Sequence, residues 1–255
     1  MLQNVQASNP SREDFVAYLS KSVQMAGEDA SPAKPSPAND RALPPVLLAL
    51  TLTTGLIDAA SYLGLGHVFT ANMTGNIVLL GFGLAHAGGL PVLAPAISLA
   101  AFLIGASAGG RLGLRIAERH KRVVLIGIGA EVTLLVTSAI VAAAAHVRIG
   151  STSAYAIIAL VALAMGVRNA VVRKLAVPDL TTTVLTLTLT GLAADTVGRA
   201  ARWRQSSRRV AAVCAMLIGA LVGGLLEKHS LTWPLAVAAG AGALCFGVYA
   251  SSRVR

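Results

Sequence analysis

From residue 43 onward the chain is a series of apolar runs separated by short polar or basic stretches. Eight runs stand out, at 43–64, 69–85, 92–110, 123–145, 154–172, 180–198, 210–226 and 231–250. Most hold about 20 residues, enough at about 1.5 Å per helical residue to cross a hydrocarbon core of roughly 30 Å. Pro44, Pro91 and Pro178 stand at or before run starts, where a helix tolerates proline. The sixth run contains VLTLTLT, whose alternation reads as a strand in a soluble domain. A lone strand in lipid leaves its backbone unpaired, so a helix or a protein-buried loop is expected there. The first 42 residues are different. They are polar, carry a Pro/Ala/Ser tract at 30–39, and lack the apolar core of a signal peptide. They read as a mostly disordered tail with a transient helix at 12–25, leaving 43–255 as a single transmembrane domain.

Composition sharpens the class. The 255 residues are 55% hydrophobic and 13% charged, with a mean hydropathy of +0.70. A soluble domain is about 25% charged. The expectation is an all-α polytopic membrane protein with the lipid bilayer as its first partner. The net charge of +10 is then a matter of topology and not of nucleic-acid binding. Cys214 and Cys245 lie inside apolar runs and read as packing residues.

The runs repeat. GLIDAASYLGLGHVFTANMTGN begins at Gly55, and a second copy of its pattern begins at Gly166: Gly55 aligns with Gly166, Asp58 with Asn169, and Thr70 with Thr181. AFLIGASAGGRL from Ala101 matches AMLIGALVGGLL from Ala215 at eight of twelve positions. Two blocks in the same order at similar separation predict a duplicated unit, about 43–146 and about 152–252.

Basic residues set the orientation. The connection after the third run carries Arg111, Arg115, Arg119, Lys121 and Arg122, and the one after the sixth carries Arg199, Arg202, Arg204, Arg208 and Arg209. Both belong in the cytoplasm by the positive-inside rule. Three full crossings between them would put them on opposite sides. Arg173 and Lys174 place the start of the sixth run inside as well, so 180–198 re-enters and does not cross; the repeat extends this to 69–85. The prediction is six transmembrane helices plus two short re-entrant or broken helices, an inverted internal repeat, and both termini cytoplasmic. Such repeats are known in many transporters.

Ionisable residues at membrane depth mark functional sites by default. Asp58 lies about six residues before the outer end of the first run. It is read either as part of a pathway or as a carboxylate pinning the start of the next segment. Asn72, Thr74 and Asn76, with Thr181, Thr182 and Thr183, supply amides and hydroxyls to line a path for a small solute or ion. Glu131 near mid-depth, Arg168, Asp179 and Asp195 are the other intramembrane charges, with Asp179 or Asp195 the expected partner of Arg168. Gly105, Gly109 and Gly113, and Gly219 and Gly223, recur at every fourth position, the spacing of close helix contacts. They are candidate faces for a homo-oligomer or a partner helix. No metal, cofactor or enzymatic activity is expected: the five histidines show no zinc spacing, and no nucleophile elbow, phosphate loop or dinucleotide fingerprint is present.

Gly55, Asp58, Tyr62, HVFTANMTGN (67–76) and VPDLTTTVLTLTLTGLAAD (177–195) resemble the YoaK family of bacterial membrane proteins, domain of unknown function 1275. The resemblance covers roughly residue 43 to the C-terminus. It implies a multi-pass protein of the bacterial cytoplasmic membrane and supplies no substrate. Arg168–Asn169 stands where the resemblance leads one to expect glutamine–asparagine. The reading is therefore a transporter or channel for a small solute or ion, with a membrane scaffold or accessory subunit as the alternative.

Overall fold

A computed structural model describes residues 42–252 apart from 115, 176–185, 187, 188, 191, 192 and 194–202. The elements in order are α1 (Leu43–Gly64), α2 (Met73–Leu84), α3 (Leu93–Gly113), α4 (Ile116–Ala144), α5 (Thr152–Leu175), α6 (Trp203–Glu227) and α7 (Thr232–Ser251). Among the described residues there is no strand. All of these helices except α2 contain a stretch long and apolar enough to cross a membrane. At 12 residues α2 spans about 18 Å, too short for a crossing. The predicted re-entry of 180–198, with Thr181, Thr182, Thr183, Asp179 and Asp195, lies outside the described residues, as does the tail.

Burial ranks the helices. α1 and α5 bury 67% and 61% of their most apolar windows, while α6 buries 17%. α1 and α5, equivalent in the repeat, form the centre. Leu103 and Ile104 of α3 and their counterparts Leu217 and Ile218 of α6 are all at least half exposed. Such a belt of large apolar side chains suits lipid, not water.

Close approaches fix the helix directions. Leu52 and Leu56 of α1 lie over Gly219 and Gly223 of α6, so these helices run parallel. Leu163 and Val167 of α5 lie over Gly105 and Gly109 of α3, again parallel. Glu131 pairs with Arg168 and Gly127 with Val171, so α4 and α5 are antiparallel. The first half of α1 shares a cluster with Val171, Val172 and Leu175, and its second half shares one with Ala154, Ile157 and Ile158; α1 and α5 are therefore antiparallel as well. The second unit thus runs opposite to the first. At one end, called here the basic end, lie Arg111, Lys121, Arg122, Arg173 and Lys174.

The two units interlock by exchange: α1 packs on α6 and α5 on α3. A Cβ on Gly55 would lie 2.1 Å from the Met216 carbonyl oxygen and 2.9 Å from the Ala220 nitrogen. A Cβ on Gly166 would lie 2.2 Å from the Phe102 oxygen and 2.8 Å from the Ala106 nitrogen. Phe102 and Ala106 are the sequence counterparts of Met216 and Ala220, so the same contact is made twice. Glycine is required because no side chain fits between these backbones. The rows expected to serve a second copy or a partner helix are therefore filled from within: Gly105 and Gly109 by α5, Gly219 and Gly223 by α1, and Gly113 by the Lys174 side chain.

Candidate functional site

Two polar clusters are built into the apolar interior. The first joins α1, the turn at 65–72, α2 and α3. Gly66 and His67 take positive φ values, 92° and 57°, and turn the chain back. Tyr62 holds the turn through its ring, edge-on to His67 and stacked on Phe69. The turned backbone needs hydrogen-bond partners away from water, and side chains supply them. The Thr70 and Ala71 N–H groups donate to Asp58 Oδ1 at 3.0 and 2.8 Å. The Phe69 N–H donates to Asn76 Oδ1 at 2.9 Å, and Asn76 Nδ2 donates to the Phe69 carbonyl at 2.6 Å and to Ser98 Oγ at 3.0 Å. Ser98 Oγ donates to the same carbonyl, and the Ser61 and Thr70 hydroxyls meet at 3.4 Å.

Asp58 and Asn76 are thus buried and positioned. Asn72 and Thr74 are exposed at the tip of α2, where Asn72 Oδ1 caps the helix by accepting from the Gly75 N–H. The tip lies beside Asp58 and Ser98, each several residues inside its own helix, while the far end of α2 approaches Leu90–Val92. α2 therefore points its N-terminus into the protein and returns to the end it came from. Asp58 Oδ2 is buried without a partner.

The second cluster lies deeper. Arg168 of α5 and Glu131 of α4 form an ion pair at 2.9 Å, with side chains 2% and 0% exposed. Arg168 Nη1 also donates to the Leu50 carbonyl and to Thr53 Oγ1, and Nη2 donates to Thr54 Oγ1 and Met165 Sδ. The hydroxyls of Thr53 and Thr54 give their own hydrogens to the Leu50 carbonyl. Their lone pairs are thereby free for the guanidinium. Glu131 Oε2 and Arg168 Nε remain buried without partners.

Asp179 and Asp195, the partners expected for Arg168, lie outside the described residues; among the described residues its carboxylate partner is Glu131. α5 continues to Leu175, so Arg168 sits about seven residues from its end, level with Glu131. Sequence reasoning also passed over Thr53 and Thr54. Their signal was there in TLTT (51–54), hydroxyls in an otherwise apolar helix. A small apolar hollow lies between α1, α4 and α5, lined by Leu43, Leu50, Val124, Ile128, Leu175 and the stem of Arg168. Among the described residues no three His, Cys, Asp or Glu side chains are grouped to hold a metal.

Residues 46–248 match the family described as "Protein of unknown function (DUF1275)". The chain is 28% identical over 220 residues to the "UPF0700 transmembrane protein YoaK" of Bacillus subtilis (strain 168), covering 82% of this chain and 94% of that one. No solved structure matches. Six membrane-length helices and a family match across nearly the whole helical region lead to one conclusion: the chain is a membrane protein of the DUF1275 family.

Proposed function

We propose that this protein is a transporter or channel for a small solute or ion in the bacterial cytoplasmic membrane. The observation that carries this reading is the placement of α2 in a pair of antiparallel, interlocked halves. Its N-terminus, with the exposed Asn72 and Thr74, points into the protein beside the buried Asp58. Half-helix ends between inverted repeats are where transporters hold ions and polar solutes. Thr181, Thr182 and Thr183 are the repeat counterparts that would complete the path. The positive-inside rule supports cytoplasmic termini, because 18 of the 21 lysines and arginines fall in the tail, the C-terminus and the connections of one side.

The accessory-subunit reading rested on glycine faces open to partner helices. Those faces are turned to the chain's own α1 and α5, which weakens it.

Reconstitution tests the proposal. Purified protein is placed in liposomes, and stopped-flow light scattering follows osmotic responses to halides, monocarboxylates, ammonium, amino acids and sugars. Protein-dependent flux of at least one solute, lost in Asp58→Asn, is the expected result. Absence of any protein-dependent flux, with a membrane partner co-purifying at fixed ratio, favours the accessory subunit.

A further inference from the structure

We infer that the tip of α2 binds a small uncharged solute that both donates and accepts hydrogen bonds, of the urea or glycerol kind, and that Asp58 is the residue that turns ions away. The inference rests on the transport reading and gives it a substrate class.

The tip presents a set of unused donors. A helix leaves its first N–H groups without intrahelical partners. Among the described residues nothing accepts from those of Met73 and Thr74. Asn72 gives Oδ1 to the Gly75 N–H, and its Nδ2 hydrogens remain unused. Asn72 and Thr74 are both exposed, so a solute reaches these donors without any rearrangement.

A second observation lies behind the tip. Asp58 Oδ1 accepts from the Thr70 and Ala71 N–H groups, and the Asn72 N–H faces the same carboxylate. The carboxylate thus stands against the residues that lead into Met73. Asp58 is 5% exposed, and its Oδ2 has no donor. A ligand that lends an oxygen to the helix end and a hydrogen to Oδ2 satisfies both sides. The donors lie within one helical turn, roughly 5 Å, so the ligand is small.

Charge selects the class. An open helix N-terminus carries about half a positive charge and draws anions. Here that end already faces the full negative charge of Asp58, so a second anion is repelled. The fixed cation acting on Asp58 is Arg168 of α5. It binds the Leu50 carbonyl, eight residues and about 12 Å along α1 from Asp58, and Glu131 matches its charge. A metal cation needs a shell of oxygen ligands and meets mainly N–H groups at the tip. An uncharged solute carries neither penalty.

Liposomes holding the full-length protein test this by stopped-flow light scattering. Urea and glycerol gradients are compared with potassium nitrate, valinomycin supplying the potassium path. Potassium entry is read separately with a trapped fluorescent indicator. The wild type should speed urea or glycerol entry over protein-free liposomes and pass neither ion. Asp58→Asn keeps an acceptor for the turn and leaves the helix end uncompensated. Its urea or glycerol flux should fall about tenfold, the scale of one hydrogen bond to a charged group, and nitrate should enter. Asn72→Asp keeps the capping oxygen and loses the amide donor, so it should lose solute flux without admitting nitrate. Melting of both variants close to the wild type shows that the fold is kept. Unchanged solute flux in Asp58→Asn, with nitrate still excluded, would overturn the inference. Flux of ions or other charged solutes alone through the wild type would overturn it and leave the transport reading standing. No protein-dependent flux of any solute would overturn both.

Discussion

Gly55 and Met216 meet backbone to backbone. No side chain fits between them, since a Cβ on Gly55 would lie 2.1 Å from the Met216 oxygen. Gly166 and Phe102, their counterparts in the repeat, meet in the same way at 2.2 Å. Each contact joins one unit to the other, so neither half is a self-sufficient bundle. The duplicated halves are woven together through helices that run parallel within each exchanged pair.

Alanine at these positions should force the pairs apart. Gly55→Ala and Gly166→Ala are each expected to cost on the order of 1–3 kcal/mol, the scale of overpacking. Gly240→Ala meets nothing within 4 Å and should be neutral or stabilising by up to about 1 kcal/mol. Melting in detergent, followed by fluorescence-detected size exclusion, separates the cases. Equal melting of Gly55→Ala and Gly240→Ala would contradict the interlock.

The ion pair gives a second prediction. Removing one partner leaves a buried charge, so Arg168→Gln alone should cost about 3–5 kcal/mol. Glu131→Gln/Arg168→Gln should recover much of that loss. A double-mutant cycle on melting reads the coupling, and additive losses would show that the two side chains do not act on each other.

Asp58 gives a third. Asparagine retains an oxygen for the Thr70 and Ala71 N–H groups, whereas alanine strands both. Asp58→Ala should cost about 1–3 kcal/mol for each N–H left without a partner. Asp58→Asn should stay close to wild type in stability. If Asp58→Asn melts as low as Asp58→Ala, the carboxylate's charge and not its acceptor oxygen holds the turn.

The sequence carried the helices well because length and apolarity decide them: the first run and α1 share the bounds 43–64. Helix ends were less legible where basic residues extend them, as at Arg173 and Lys174, because a charged last turn looks like a loop to a hydropathy reading. A fifth run ending at 172 leaves four residues beyond Arg168 where α5 has seven, which hid its pairing with Glu131. The repeat was legible in Gly55/Gly166 and in the glycine blocks. Which helix each glycine row would face was not, because glycine spacing identifies a close contact without identifying the partner. The role of Asp58 as anchor of the Thr70–Ala71 turn was one of the two readings offered by an acid just before HVFTANMTGN. Thr53, Thr54 and Ser98 went unnoticed because hydroxyls in apolar helices usually bond back to their own backbone.

The second half runs opposite to the first, and α2 returns to the end it came from. Single cysteines at Ala87, Ser151 and Ser206, in a background carrying Cys214→Ser and Cys245→Ala, test it by accessibility labelling in intact cells. Labelling of 87 and 151 from outside, and of 206 only after the cytoplasmic face is opened, is the result expected. Labelling of 87 from the cytoplasmic side would make α2 a full crossing and contradict the inverted arrangement.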